Sequence, residues 1–380
     1  MKLEVYLHLM GASHPIYSEM LSYPPENITY AHKPLEGYYN RPQKTSVLKK
    51  ALKALYSPFP AVYYVRDTGK SKVIHSTNSL MLLNNKPWVV DSEQAGSFLR
   101  FREGFYRSSL HKRVVKSLLR RESCKAILPW SDAALASIDN YLRDEKISKK
   151  MEVIPPAVHL FEKPASKPKD SFRFLFVGRV FFEKGGRELL EAFSKVRSKH
   201  DCSLTWVGPV PKQYKEKYQK GITYLKPTFG RKEMEELLSK HHALVLPTYI
   251  DTFGFLLLEA MSAGLPVVST STFCIPEIVK DGETGLLVEP PVKWYDERFL
   301  FDLDRFPSWN HLVKHISGTP FPRFASSLAE KMSLLCSDSS LWASLSARAR
   351  KEIAEGRFSI KVRNKAIGQS YLSAASDHSR

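Results

Sequence analysis

Leu246-Pro247-Thr248-Tyr249-Ile250-Asp251-Thr252-Phe253-Gly254-Phe255-Leu256-Leu257-Leu258-Glu259-Ala260-Met261-Ser262-Ala263-Gly264-Leu265-Pro266 reads as a strand end, a polar loop closed by glycine, and a helix stopped by a second glycine. Ala243–Leu246 supplies the strand, Phe255–Ala263 the helix, and Leu265–Ser269 the strand that follows. A helix that starts just past a strand presents free backbone N–H groups and the positive end of its dipole, which is a natural anion site at the strand's carboxyl end. Asp251 stands just before this helix and Glu259 inside it, in a sequence neighbourhood so apolar that the carboxylate needs a hydroxyl or cationic partner.

Working outward, the same strand-then-helix pattern repeats. Phe172–Val177 is an apolar strand, followed by Leu189, Leu190, Phe193 and Val196 on one helical face. Ser203–Val207, Ile222–Leu225 and Leu286–Val288 add strands, and Lys232–Lys240 adds a helix. The pattern predicts an α/β doubly wound parallel sheet. The first half reads likewise, with strands at Leu3–Leu9, Lys72–His75, Trp88–Val90 and, after a long helix, Ala126–Pro129. The expectation is two Rossmann-like doubly wound domains facing each other across a cleft. The boundaries are an N-terminal domain over 1–155, a Pro- and Lys-rich linker over 156–170, and a C-terminal domain over 171–356. An unassigned insertion lies at about 291–324, and a C-terminal helix over 357–380 is free to return to the N-terminal domain.

With 380 residues, 43% hydrophobic and 25% charged, the chain has the make-up of a globular protein and excludes both a small stapled scaffold and a disordered one. The net charge of +18 favours partners that carry phosphate, and residues 1–150, with 24 Lys and Arg against 13 Asp and Glu, hold most of it. Four scattered cysteines without a Cys-x-x-Cys pair suggest neither zinc ligation nor a disulfide framework and fit a reducing cytoplasm. Glu4 and His8 interrupt what would otherwise pass for a secretion signal, and no apolar run is long enough to span a bilayer. The location expected is cytoplasmic, with any membrane contact peripheral at the inner face.

Upstream of the central window, Val177-Gly178-Arg179-Val180-Phe181-Phe182-Glu183-Lys184-Gly185-Gly186 puts two cations on a strand-to-helix loop. An Arg fork and a Lys point charge suit a diphosphate and the negative charge that develops as it leaves. Alone, this loop is an ordinary glycine turn; paired with the Asp251–Glu259 window it carries chemistry.

Together the two windows resemble family 4 of the retaining GT-B glycosyltransferases. Gly178-Arg179, Glu183-Lys184-Gly185, Phe253-Gly254, Glu259-Ala260-Met261, Ala263-Gly264 and Pro266-Val267 match its signatures, as do Asp281–Val288 and Val153-Ile154-Pro155. The resemblance is strong from about Met151 to Pro290. It implies that Arg179 and Lys184 clamp the donor diphosphate, that Glu259 holds the donor ribose, and that the amides of Phe253, Gly254 and Phe255 meet sugar or phosphate. Gly178 and Gly11 stand where such enzymes bring backbone close to the donor. Asp251 occupies the place of the family's first Glu, one methylene shorter, and Glu93 falls on the position of a family histidine. Retention is thought to proceed by same-face return with the leaving phosphate helping to deprotonate the acceptor, so Glu93 or Asp91 would instead contact sugar or acceptor. No metal or other cofactor is implied. The implied partners are a UDP- or GDP-linked sugar and a glycan or glycolipid acceptor.

Several features remain outside that assignment. His14 reads as a surface-loop residue and His75 as a satisfied structural histidine. His311 and His315 have helical i, i+4 spacing but no third ligand is apparent, and Asp302-Leu303-Asp304 mimics a metal motif of a different glycosyltransferase fold. The basic, aromatic stretch Arg100–Lys125 has two readings, a solvated helix face or an interfacial helix on anionic lipid. Two alternatives to a membrane-surface enzyme stay open: a soluble glycosyltransferase acting on a small metabolite or polysaccharide, and a non-catalytic nucleic-acid binder. No zinc finger, RRM or helix-turn-helix signature supports the second, and no nucleic acid is expected.

Overall fold

The computed structural model describes residues 2–9, 14–33, 60–165, 171–227 and 230–376. The chain divides into two compact units. The first comprises residues up to Pro156, Glu297–Leu300 and the chain from Lys361 onward; the second comprises Ala157–Asp296 and Phe301–Ile360.

In the first unit the strands are β1 (Leu3–His8), β2 (Ile28–Ala31), β3 (Val62–Tyr63), β4 (Val73–Ser76), β5 (Met81–Leu82), β6 (Trp88–Ser92) and β7 (Cys124–Pro129). Five of them form a parallel sheet in the order β2-β1-β4-β6-β7, while β3 pairs with β5. Every residue of β4 and β6 is buried, as expected of parallel strands covered on both faces. Trp88, Val90, Ile74, Leu119, Ile127 and Ile138 are core residues of this unit. The edge strand β2 escaped the sequence reading because it is only four residues long and mostly half-buried, too short for a period to register.

The single long helix expected before β7 is a correction. The backbone instead makes a 3₁₀ turn at Ala95–Leu99, then helices at Glu103–Arg107 and Ser109–Leu119. Arg100 and Phe101 both adopt left-handed φ of 55°, which no continuous helix tolerates, and Ser108 leaves helical geometry so that its side chain can cap the next helix. The cations of this stretch are also partly committed. Arg120 and Lys116 reach the Asp144 carboxylate at 2.5 and 3.5 Å, Arg121 donates to Asn85 at 2.8 Å, and Lys112 sits over the Tyr141 ring.

The second unit carries β8 (Phe172–Val177), β9 (Cys202–Val207), β10 (Ile222–Leu225), β11 (Ala243–Leu246), β12 (Val267–Thr270) and β13 (Gly285–Val288). They form one parallel sheet in the order β10-β9-β8-β11-β12-β13. Helix Gly186–Arg197 turns Leu189, Leu190, Phe193 and Val196 inward, and Pro322–Ser337 and Ser339–Ala354 close the layer. The stretch read as an irregular insertion contains the helix Trp309–Gly318, anchored by buried Leu312 and Ile316, together with the first turn of Pro322–Ser337. With only two buried positions in ten residues, its period was too sparse to register. Strand order reverses between β8 and β11, so the crevice outside their carboxyl ends is where a doubly wound sheet binds ligands.

Candidate active site

The loops after β8 and β11 are built against each other. Gly178 donates its N–H to the Val207 carbonyl at 3.0 Å, tying the end of β8 to that of β9. Gly185, at φ 67°, opens helix Gly186–Arg197; a Cβ there would lie 2.1 Å from the Pro247 carbonyl oxygen, so no side chain fits. Across this contact the Tyr249 N–H donates to the Glu183 carbonyl at 2.9 Å, and the Thr248 hydroxyl donates to the Ile250 carbonyl at 2.7 Å. The result joins two windows that the sequence keeps apart: Lys184 Nζ donates to Asp251 Oδ2 at 2.7 Å and to the Ile250 carbonyl at 3.1 Å. Their side chains are 21% and 15% exposed, so the pair is partly screened yet open to a ligand.

Arg179 is exposed and lines a cavity of about 510 Å³ together with Gly208, Lys215, Tyr224, Leu225 and Lys226. All of these follow or end β8, β9 and β10, so the cavity opens at the carboxyl end of the sheet. Lys215 Nζ stands 5.4 Å from the centre of the Tyr224 ring, and the Tyr224 hydroxyl donates to the Tyr218 carbonyl at 2.6 Å. Burial pushes that phenol up to about 12, so it remains a neutral donor at physiological pH. Three cations around a half-buried aromatic suit an anionic ligand with a planar ring.

Helix Phe255–Ser262 begins at Gly254, which brings no side-chain cap. Phe253 and Phe255 are buried, and the Phe253 ring meets Phe358 edge-on at 6.4 Å. Glu259 is half-buried rather than enclosed in apolar surroundings: it shares the half-buried face of the helix with Leu256, while Leu257, Leu258 and Ala260 turn to the core.

Behind the loop lies a cluster that the sequence reading missed. Arg187 Nε donates to Glu188 Oε1 at 2.8 Å, and the rest of its guanidinium donates to the carbonyls of Ile316, Ser317 and Thr319 at the end of helix Trp309–Gly318. Glu188 is 1% exposed, and burial holds its carboxyl above the ordinary value despite the opposing Arg187 charge. Tyr249, also fully buried, has its phenol raised by burial and by Glu188. A charged Arg-Glu pair between two glycines and two leucines was the available signal.

In the first unit, Gly11 lies outside the described residues. Glu93 is half-buried just past β6. Asp91 corrects the expectation that it would meet sugar or acceptor. It is 4% exposed, and its oxygens are taken by Tyr17 OH at 3.0 Å, the Asn78 N–H at 2.8 Å and His75 Nε2 at 3.0 Å. His75 also meets Tyr371 OH at 2.5 Å through Nδ1, so both ring nitrogens have partners. His14 caps helix Pro15–Ser22 through its side chain. His311 meets the Ser308 hydroxyl, and among the described residues no group of three His, Cys, Asp or Glu could hold a metal ion.

Comparison with known proteins finds relatives in sequence and in fold. Residues 171–297 match the sequence profile of the glycosyl transferases group 1 family. An uncharacterized glycosyltransferase of Methanocaldococcus jannaschii is 30% identical over 152 residues, 37% of this chain and 39% of that one. The chain thus spans about two fifths of the length of the curated relatives it matches. Among solved structures, Anabaena HepE, crystallised with UDP and glucose, superposes with a TM-score of 0.63 at 15% identity, covering 98% of this chain and all of that one. WaaG, a glycosyltransferase involved in lipopolysaccharide biosynthesis, superposes with a TM-score of 0.58 at 16% identity, covering 95% and 98%. Residues 171–297 of this chain are thus similar in sequence to the glycosyl transferases group 1 family, and the chain has the GT-B fold.

Proposed function

We propose that the protein is a retaining glycosyltransferase that takes a sugar from a nucleotide diphosphate held by the second unit and passes it to a glycolipid or lipid-linked glycan. The observation that carries this reading is the 2.7 Å contact of Asp251 with Lys184, at the switch point of the sheet and on the loop that also bears Arg179. In the proposed reaction the bond from the sugar's anomeric carbon to the diphosphate breaks, and the acceptor oxygen bonds to the same carbon on the same face. The acceptor proton passes to a phosphate oxygen. Arg179 and Lys184 stabilise the charge on the leaving diphosphate, Asp251 holds Lys184 and touches the sugar, and Glu259 takes the ribose hydroxyls. Glu93 contributes on the acceptor side. The base lies in the cavity beside Tyr224, and the fold shared with HepE, which has been crystallised with UDP-glucose, supports UDP as its first candidate. No resident metal takes part, because side-chain cations do its work.

Titration of the protein with UDP, GDP, ADP and their sugar conjugates, followed by sugar transfer in the presence of EDTA, tests this. Arg179→Ala and Lys184→Ala are each expected to lower kcat by about 100-fold or more. Wild-type turnover in both variants overturns the assignment.

The glycolipid acceptor rests on the first unit. Phe101 and Leu110 are 46% and 64% exposed, in one segment with exposed Arg102, Arg107 and Arg113. Cations mixed with exposed apolar side chains favour an anionic bilayer surface. Phe101 and Leu110 supply the apolar contact, and the exposed cations beside them the charge. Phe101→Ser with Leu110→Ser is expected to abolish co-sedimentation with phosphatidylglycerol vesicles; undiminished binding removes the membrane from the proposal and leaves a soluble acceptor.

A further inference from the structure

A second basic cavity lies in the second unit, away from the one just described. It has a volume of about 580 Å³ and is lined by Arg197, Lys199, His200, Lys217 and Lys220, with Asp201 as its one acidic residue. Its walls are the segments that lead into β9 and β10, so it opens at the amino end of the sheet. The donor cavity beside Arg179 sits at the carboxyl end of the same strands, the six residues of β9 away, or about 20 Å. The two cannot share one ligand of ordinary size.

Arg197 is built into this cavity. Its Nη1 donates to the Cys202 carbonyl at 2.6 Å, which fixes the guanidinium. Its Nε is buried without a hydrogen-bond partner. Gly221, at φ 75°, brings the backbone so close that a Cβ would stand 2.6 Å from that Nε, so the turn into β10 has no room for a side chain against the arginine. Around this fixed fork, Lys199, Lys217 and Lys220 are exposed, and no ion pair engages them among the described residues. Phe193 and Ile222 also line the cavity. Clustered cations with a single opposing carboxylate repel one another, and a bound anion relieves that repulsion.

We infer that this cavity is a second anion site, for a compact, multiply charged phosphate compound of the class of phosphorylated sugars. The inference goes beyond the proposed transfer reaction and does not depend on it. The volume suits a small-molecule ligand, the fixed guanidinium supplies a positioned cation, and the lysines supply the remaining positive charge.

Isothermal titration of the full chain with inorganic tripolyphosphate tests it. Wild type is expected to show two sites. Lys199→Glu with Lys217→Glu and Lys220→Glu should lose one of them, with affinity there falling about tenfold or more, and should keep sugar transfer. Arg179→Ala with Lys184→Ala should lose the other. A control that reverses the same charge elsewhere on the unit, Lys240→Glu with Lys314→Glu and Lys351→Glu, should keep both. The inference is overturned if the cavity variant titrates like wild type, or if the control loses as much. Loss in the cavity variant with no loss in the Arg179 and Lys184 variant upholds this site while removing the donor clamp. Phosphatidylglycerol vesicles identify the source of the phosphate: sedimentation that depends on Lys199, Lys217 and Lys220 assigns the site to a lipid headgroup, and sedimentation independent of them assigns it to a soluble anion.

Discussion

Single residues set the geometry of the proposed donor site. Lys184 and Asp251 meet only because Gly185 lets the two loops touch, and a methyl group at position 185 would strike the Pro247 carbonyl at 2.1 Å while also forcing a left-handed conformation on alanine. Gly185→Ala is therefore expected to cost about 2 kcal/mol or more, from the left-handed backbone and the clash together. It should also weaken nucleotide binding, since separating the loops pulls Lys184 from Asp251. Urea unfolding combined with nucleotide titration checks both, and a stable variant with unchanged affinity shows that the loops can part without consequence.

At the scale of elements, the start of β11 depends on a neutral histidine. His242 donates its backbone N–H to the Arg173 carbonyl at 2.8 Å, and its Nδ1 accepts the Arg173 N–H at 3.0 Å, so the imidazole extends the pairing of β11 with β8. The Trp342 indole donates to the His242 carbonyl at 2.7 Å, which ties helix Ser339–Ala354 to the same point. Burial, with Arg173 and His241 adding repulsion, pushes this imidazole down to about 4. Because the folded value is depressed, the contribution to stability is fully present above the unfolded value near 6.5 and is lost as pH falls toward the folded one. Between pH 7.5 and pH 5 that loss amounts to about 2 kcal/mol. His242→Asn, which keeps an acceptor for Arg173, should be less stable than wild type at pH 7.5 and should close much of that gap at pH 5. Parallel pH dependence of the two proteins in urea unfolding would contradict the assignment.

For the molecule as a whole, the chain divides into two compact units, and the segment from Lys361 onward belongs to the first. Helix Ile360–Ser376 buries Ile367, Tyr371 and Ala374 there. Tyr371 OH meets His75 at 2.5 Å and Tyr30 OH at 3.3 Å, inside a network that includes Asp91 and Tyr17. Arg363 adds a hydrogen bond to the Tyr23 carbonyl at 2.8 Å. Tyr371→Phe leaves a buried imidazole nitrogen without its partner, at an expected cost of about 1–3 kcal/mol. Calorimetry should show the transition of the first unit moving down while nucleotide-stabilised unfolding of the second stays in place. A shift of both transitions by the same amount would mean that the two units unfold as one.

The sequence by itself determined the parallel α/β sheet of the second unit, because β8 and β11 are nearly continuous apolar runs stopped by glycine or polar loops, a pattern carried by neighbouring residues. It also singled out the windows around Lys184 and Asp251, since strand-to-helix loops with glycine and charge are local features. Only the tertiary structure decided that Lys184 bonds to Asp251, 67 residues away, and that Asp91 is enclosed by Tyr17, Asn78 and His75 rather than open to an acceptor. It alone joined His75 to Tyr371 across 296 residues, and broke the basic stretch at Arg100 and Phe101. The physical reason is the same in each case. Periodicity records which face of an element is buried, but the partner of a buried charge or hydroxyl is chosen by packing between segments, and that leaves no local trace.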